Sequence, residues 1–219
     1  MKNKDITIFI VDDEPVVCQA IALTLKSEKF TVRCFNNPQE CIDILAGEEC
    51  DLLITDINMP GLNGVELLSK ARYISPLLPL IAITGYASVQ LTVSAIKAGA
   101  IDFIEKPLER ETLLAQVKTA LEESARQKLR RENNLTKTEF RILDLIMAGK
   151  CNKEIARKLC RSTRTVEDHR LNVMRKLHAS NIVGLVQKVL SYDSHPCRPA
   201  RFLGNQPENP VFSSQQPLI

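Results

Sequence analysis

No apolar run in the 219 residues approaches the ~20 residues of a membrane-spanning helix, which excludes such a helix, and no membrane partner is expected. The opening residues Met1-Lys2-Asn3-Lys4-Asp5 lead straight into a strand-like run and lack a signal-peptide pattern, so a cytoplasmic protein is expected. Also missing is any C-x-x-C pair. The seven cysteines, Cys18, Cys34, Cys41, Cys50, Cys151, Cys160 and Cys197, have no metal-ligand spacing with His169, His178 or His195. They read as free, mostly structural thiols in a reducing compartment. With an ordinary 44% of apolar residues, the chain is long enough for one large or two modest cores.

The formal net charge of +3 conceals an uneven distribution. Residues 1–124 carry 11 Lys/Arg against 18 Asp/Glu, net −7, whereas residues 135–190 carry 12 against 5, net +7. An acidic half joined to a basic half implies two domains with different partners, the second a polyanion.

From Ile6 to about Glu123 strand and helix patterns alternate five times, with helices expected over 14–27, 38–46, 64–72, 88–98 and 110–123. Such alternation with short loops calls for a doubly wound α/β domain, a parallel sheet covered by helices on both faces, over residues 1–124. Residues 125–134 are charged, lack an apolar stripe and read as a linker, with a helical extension of the preceding segment as the alternative. Only helical stripes follow over 135–190: Phe140, Leu143 and Ile146-Met147; Ile155 and Leu159; Val166, Val173 and Leu177; then Ile182, Leu185-Val186 and Val189-Leu190. Residues 191–219 hold five prolines without periodicity and read as a disordered tail.

Four apolar runs in the first half each end in polar side chains that packing does not need. Ile6–Val11 runs into Asp12-Asp13, Leu52–Thr55 into Asp56, Leu80–Ile83 into Thr84, and Ile101–Ile104 into Glu105-Lys106-Pro107. In an open parallel sheet, ligands bind at the carboxyl ends of the strands, so these termini meet at one edge. Asp12, Asp13 and Asp56 cannot all ionise side by side without a counter-charge. Mg²⁺ supplies one, because it favours a few carboxylates with waters and phosphate oxygens. A carboxylate can then take a phosphoryl group, with Lys106 and Thr84 suited to its non-bridging oxygens.

Asp12-Asp13, Asp56-Ile-Asn-Met-Pro60-Gly61, Thr84-Gly85 and Lys106-Pro107 together resemble the receiver domain of two-component response regulators over residues 5–124. The resemblance implies a flavodoxin-like (βα)5 fold and Asp56 phosphorylated by a sensor histidine kinase. It implies Mg²⁺ held by Asp13, Asp56 and the backbone carbonyl of Asn58, with Asp12 acting through water. It also makes Lys106–Pro107 a candidate cis peptide. Phe103 matches the aromatic switch that turns inward when Thr84 moves toward the phosphoryl group; it reads equally as a plain strand core residue. Tyr86 lies near the site mouth, where it would affect water access.

In the basic half, residues 152–159, a short turn and residues 163–177 form a helix-turn-helix, with Asn152 and Ser162 as N-caps. Such a unit lays its second helix in the major groove of DNA. The pattern Leu135-Thr136, Glu139, Asn152-Lys-Glu-Ile-Ala, Ser162, Thr165-Val166-Glu, His169-Arg, Asn172-Val173, Lys176-Leu177 resembles the LuxR-type DNA-binding domain, and the chain as a whole the FixJ/NarL-type response regulators. The resemblance implies Arg164, Glu167, Asp168 and Leu171 as base readers, and Lys153, Thr165, Arg170, Arg175 and Lys176 as phosphate contacts. Glu167 and Asp168 read equally as ion-pair partners of a neighbouring arginine, and His169 as a packing residue. The helix from Ser180 matches the family's dimer-forming helix, and its stripe can equally pack inside the monomer. Cys160-Arg161 departs from the family's usual glycine and aliphatic residue, so Arg161 must point outward or along a charged edge.

The expected function is a promoter-binding transcription regulator whose phosphorylation pairs two receivers through the fourth helix, fifth strand and fifth helix. The resemblance leaves room for RNA polymerase as a further partner. No enzyme activity is expected beyond self-directed phosphoryl acceptance and slow autodephosphorylation. A haloacid-dehalogenase-type phosphatase is the enzymatic rival, but it needs an Asp-x-Asp where this chain has Asp56-Ile57-Asn58. The other rival, a helical domain for protein or RNA, fits the charge but not the ordered recognition-helix residues.

Overall fold

The computed structural model describes residues 6–85 and 88–192. Tyr86 and the tail from residue 193 lie outside the described residues. Five strands, β1 (Thr7–Val11), β2 (Thr31–Phe35), β3 (Leu52–Asp56), β4 (Leu80–Thr84) and β5 (Asp102–Glu105), form one parallel sheet in the order β2-β1-β3-β4-β5. They alternate with helices α1 (Pro15–Ser27), α2 (Pro38–Leu45), α3 (Gly64–Ile74), α4 (Val89–Lys97) and α5 (Arg110–Glu132).

Because side chains alternate across a strand, each apolar run feeds two cores. Ile8, Ile10, Leu52, Ile54, Ile81, Ile83 and Ile104 face α1 and α5. Phe9, Val11, Leu53, Leu80 and Ala82 face α2, α3 and α4. All five residues of β3 and of β4 are buried. Burial of each large side chain contributes roughly 1.5–3 kcal/mol, which explains why the central strands are continuous apolar runs rather than alternating ones. The sheet is thereby held rigid up to its carboxyl edge.

The second unit is α6 (Lys137–Met147), α7 (Asn152–Leu159), α8 (Thr163–Lys176) and α9 (Ile182–Tyr192). Its core gathers Ile142, Leu143, Ile155, Val166, Val173, Leu177, Leu185 and Val189. Leu129 of α5 joins the same core. The charged stretch from residue 125 is therefore mostly the second half of α5, which continues nine residues beyond Glu123. Leu129 docks it on that core, with Arg126 paired to Asp144 at 2.6 Å beside it.

Three local expectations change. Asn152 does not cap α7; Cys151 does, with Glu154 accepting from its backbone N–H at 2.8 Å in a reciprocal capping arrangement. Ser162 caps α8 as expected, accepting from the Thr165 N–H at 3.1 Å. The stripe of α9 splits: Leu185 and Val189 are buried, whereas Ile182 and Val183 are exposed. Finally, α9 continues through Tyr192, whose hydroxyl accepts from Asn133 Nδ2 at 3.4 Å, so the first two residues of the expected tail are helical.

Candidate functional site

The ends of β1, β3 and β4 and the turn after β5 converge as the strand order requires. Asp12 follows β1 and is sealed from solvent. Its N–H donates to Phe35 O at 3.1 Å, and Asn36 Nδ2 donates to its carbonyl at 2.8 Å, so β2 fixes its backbone. The Asp12 carboxylate accepts from the Glu14 N–H at 2.9 Å and from Lys106 Nζ at 3.0 Å. Asp56, the last residue of β3 and also buried, accepts from the Asn58 N–H at 2.8 Å and from Lys106 Nζ at 2.5 Å. Asp13 stands at the solvent edge of the site, and one oxygen from each of Asp12, Asp13 and Asp56 lies within 4.8 Å of the others.

One ammonium thus bridges two buried carboxylates. Lys106 is positioned by its own backbone, whose N–H donates to Thr84 O at 2.8 Å, and the Lys106–Pro107 peptide bond is cis. Burial pulls the Lys106 pKa down, but the hydrogen bonds and charges of Asp56 and Asp12 outweigh it, so the net shift is upward and the side chain stays cationic. Burial raises Asp12 above the ordinary carboxylate range, against the pull of the Glu14 N–H and Lys106. Thr84 is buried at the end of β4, with its hydroxyl 3.5 Å from Asn58 Nδ2.

The donor set suits a hard divalent cation: only carboxylate oxygens, one of them at the solvent edge and two within. Each carboxylate oxygen has more than one acceptor direction, so the bonds to Lys106, Glu14 and Asn58 leave capacity for an ion.

A residue outside the expected set shapes this floor. Gly64 opens α3, and its N–H donates to Ile57 O at 3.0 Å. A Cβ there would stand 2.0 Å from the carbonyl oxygen of Asp56 and 2.6 Å from Cα of Ile57. Only glycine lets α3 approach this closely. In sequence, Gly64 is one punctuating glycine among several.

Phe103 is half-buried on β5 against the α2–α4 core and pairs in register with Ala82. Because Thr84 lies two residues beyond Ala82 on β4, Phe103 and Thr84 share one face of the sheet. A groove of about 290 Å³ is lined by Phe103, Pro107, Thr112 and Gln116.

On α8, Arg164, Glu167, Asp168, Leu171 and Arg175 are exposed, Leu171 to 66%. Lys153 is exposed at the start of α7. Thr165 lies at the α8 N-terminus with its hydroxyl 2.8 Å from that of Ser162. Two expected phosphate contacts are engaged inside the unit. Lys176 Nζ donates to Glu139 Oε2 at 2.6 Å and Asn134 O at 2.9 Å. Arg170 donates to Asn152 Oδ1 at 2.8 Å, and Asn152 Nδ2 lies 3.4 Å from Glu167 Oε1. Glu167 is thus linked to an arginine through Asn152. His169 is half-buried. Arg161 is exposed, the first of the two placements open to it, and Cys160 takes the left-handed conformation with φ 52°.

Comparison with known proteins agrees with this geometry. Residues 8–118 match the response regulator receiver domain, and residues 133–189 match bacterial regulatory proteins of the luxR family. The chain is 36% identical over 196 residues to the transcriptional regulatory protein FixJ of Rhizobium meliloti, covering 85% of this chain and 96% of that protein. It is 33% identical over 199 residues to the response regulator protein TmoT of Ectopseudomonas mendocina, covering 85% and 89%. Among solved structures it is similar to the response regulator StyR, with TM-score 0.54, 33% identity, and coverage of 86% of this chain and 100% of that one. No helix among the described residues is long and apolar enough to cross a membrane. With an acidic strand-end site in the first unit and a helix-turn-helix in the second, the chain belongs to the response regulator family, as a two-component transcription regulator with a luxR-family DNA-binding domain.

Proposed function

We propose that Asp56 is the phosphoryl acceptor and that its acyl phosphate pairs two copies of the chain on promoter DNA in the cytoplasm. The observation that carries the reading is the Lys106 ammonium held against both Asp12 and Asp56 at the closed end of the sheet. An Asp56 oxygen attacks the phosphorus of a sensor kinase phosphohistidine. The N–P bond breaks, its electron pair leaves with the imidazole nitrogen, and the phosphoryl group is transferred to Asp56. Lys106 and Thr84 then donate to the phosphoryl oxygens. Asp13, Asp56 and the Asn58 carbonyl would hold Mg²⁺, with Asp12 behind them through water; the ion would supply positive charge to the transferring group. Slow hydrolysis of the acyl phosphate resets Asp56.

Movement of Thr84 toward the phosphoryl group frees space that Phe103 occupies, a reading supported by their place on one face of the sheet. The change is read on the neighbouring surface of α4 and β5, where Val89, Val93, Ile96 and Ile101 are exposed apolar side chains. Pairing there holds two helix-turn-helix units at high effective concentration on adjacent half-sites, with exposed Ile182 and Val183 of α9 adding contact. Arg164 reads a base edge with Leu171 beside it; Lys153, Thr165 and Arg175 meet phosphates.

The test is phosphoryl uptake from acetyl phosphate with Mg²⁺ by the full chain and by Asp56→Asn. Uptake is expected in the first and none in the second; a variant that still acquires label would overturn the assignment.

A further inference from the structure

Away from the acidic site, two thiols meet where α1 packs on the sheet edge. Cys34 of β2 stands opposite Ile10 of β1 in parallel register and so faces the side that α1 covers. Cys18, in the first turns of α1, is buried, with its sulfur 3.7 Å from the Ile10 carbonyl oxygen. The Cys34 sulfur lies 3.6 Å from the carbonyl oxygen of Cys18, so the two cysteine residues touch. Cys34 is also exposed to solvent. One accessible and one sealed thiol on touching residues can serve as an attacking and a resolving pair. Cys41 and Cys50, on the other side of the sheet, have no hydrogen bond between them, and Cys50 donates to Leu52 O at 3.2 Å instead.

We propose that Cys18 and Cys34 are an oxidisable dithiol, which a low-molecular-weight disulfide converts to an intramolecular Cys18–Cys34 bond. With oxidised glutathione, the Cys34 thiolate attacks one sulfur, the glutathione S–S bond breaks and one glutathione thiolate leaves. Cys18, deprotonated as it reacts, then attacks the Cys34 sulfur and expels the second glutathione thiolate. Two protein thiols lose two electrons and two protons, and one glutathione disulfide becomes two thiols. Burial, and next the Cys34 thiol itself, push Cys18 up to about 12, which fits it to the second, slower step.

The experiment treats the reduced full-length protein with oxidised glutathione, alkylates remaining thiols after denaturation, and maps peptides by mass spectrometry without reduction. Expected is a transient glutathione adduct at Cys34, then a Cys18–Cys34 peptide pair lighter by two hydrogens, with loss of Cys18 alkylation. Cys34→Ser, a change at an exposed site, should abolish the pair, and Cys18→Ala should stop at the Cys34 adduct. The proposal is overturned if the wild type stops at that adduct with Cys18 alkylated, if Cys34 joins a different cysteine, or if Cys34 does not react.

Discussion

Lys106 carries more than its own charge. Removing it leaves Asp12 and Asp56 facing each other inside the sheet edge with no cation between them, an arrangement that disfavours double ionisation. Lys106→Met should slow phosphoryl uptake from acetyl phosphate by about 10²-fold, the effect of losing one oriented donor to developing charge. An unchanged initial rate would count against the role given to the ammonium. At the start of the second unit, Glu139 is buried to 4% exposure and pairs with Lys176. Burial pushes its pKa up, but the Lys176 and Thr136 hydrogen bonds prevail and hold it below the ordinary 4.5. A depressed carboxylate stabilises the fold above its unfolded pKa and loses that contribution as pH falls through the folded value. Glu139→Gln should therefore cost about 1–3 kcal/mol at neutral pH. Its stability should also vary less than wild type between about pH 5 and pH 3 in denaturant titrations.

Backbone conformation decides two elements. Gly64→Ala places a methyl 2.0 Å from the Asp56 carbonyl oxygen, so α3 must withdraw from β3. A loss of about 1–3 kcal/mol is expected, together with slower uptake at Asp56; a variant as stable as wild type would show that the helix can shift freely. Cys160, the left-handed residue that ends α7, pays for a conformation glycine adopts without strain. Cys160→Gly should raise the thermal stability of the helical unit by about 1 kcal/mol. These positions also show what was legible in the chain. The strand runs and their polar ends announce themselves by composition, because a two-sided sheet needs apolar side chains throughout and Asp56 or Thr84 does not. The closeness of Gly64 to Asp56 has no such signature, since it depends on seven intervening residues folding back. The true cap of α7 was hidden for a similar reason: Cys151 is a weak capping residue by type, and Glu154 completes the motif. The continuation of α5 is only the alternative to a linker in the sequence, because Leu129 meets its partners only in the folded unit.

Across the whole molecule, charge separates the two tasks. The acidic half gathers three carboxylates, Asp12, Asp13 and Asp56, at one edge, while exposed basic side chains of α7 and α8 face outward. If Lys153 meets a phosphate, Lys153→Ala should reduce the slope of log affinity against log salt by about 1 per protomer. Lys176→Ala should instead lower stability and leave that slope unchanged, because its ammonium already serves Glu139 and Asn134. The two slopes in a promoter-binding titration distinguish those roles. Helix α5 ties the halves together, with Leu121 in one core and Leu129 in the other, and Arg126 paired to Asp144 and stacked on Phe140. Leu129→Ala should cost the helical unit about 2–5 kcal/mol, visible as an earlier unfolding transition of that unit alone. The same helix sets where the chain can be cut. A DNA-binding fragment that starts at residue 135 would discard the side chain that plugs its core, whereas one that starts at 125 keeps it. The shorter piece should melt lower, and weak DNA affinity measured on it would report a missing plug rather than a missing activating phosphate.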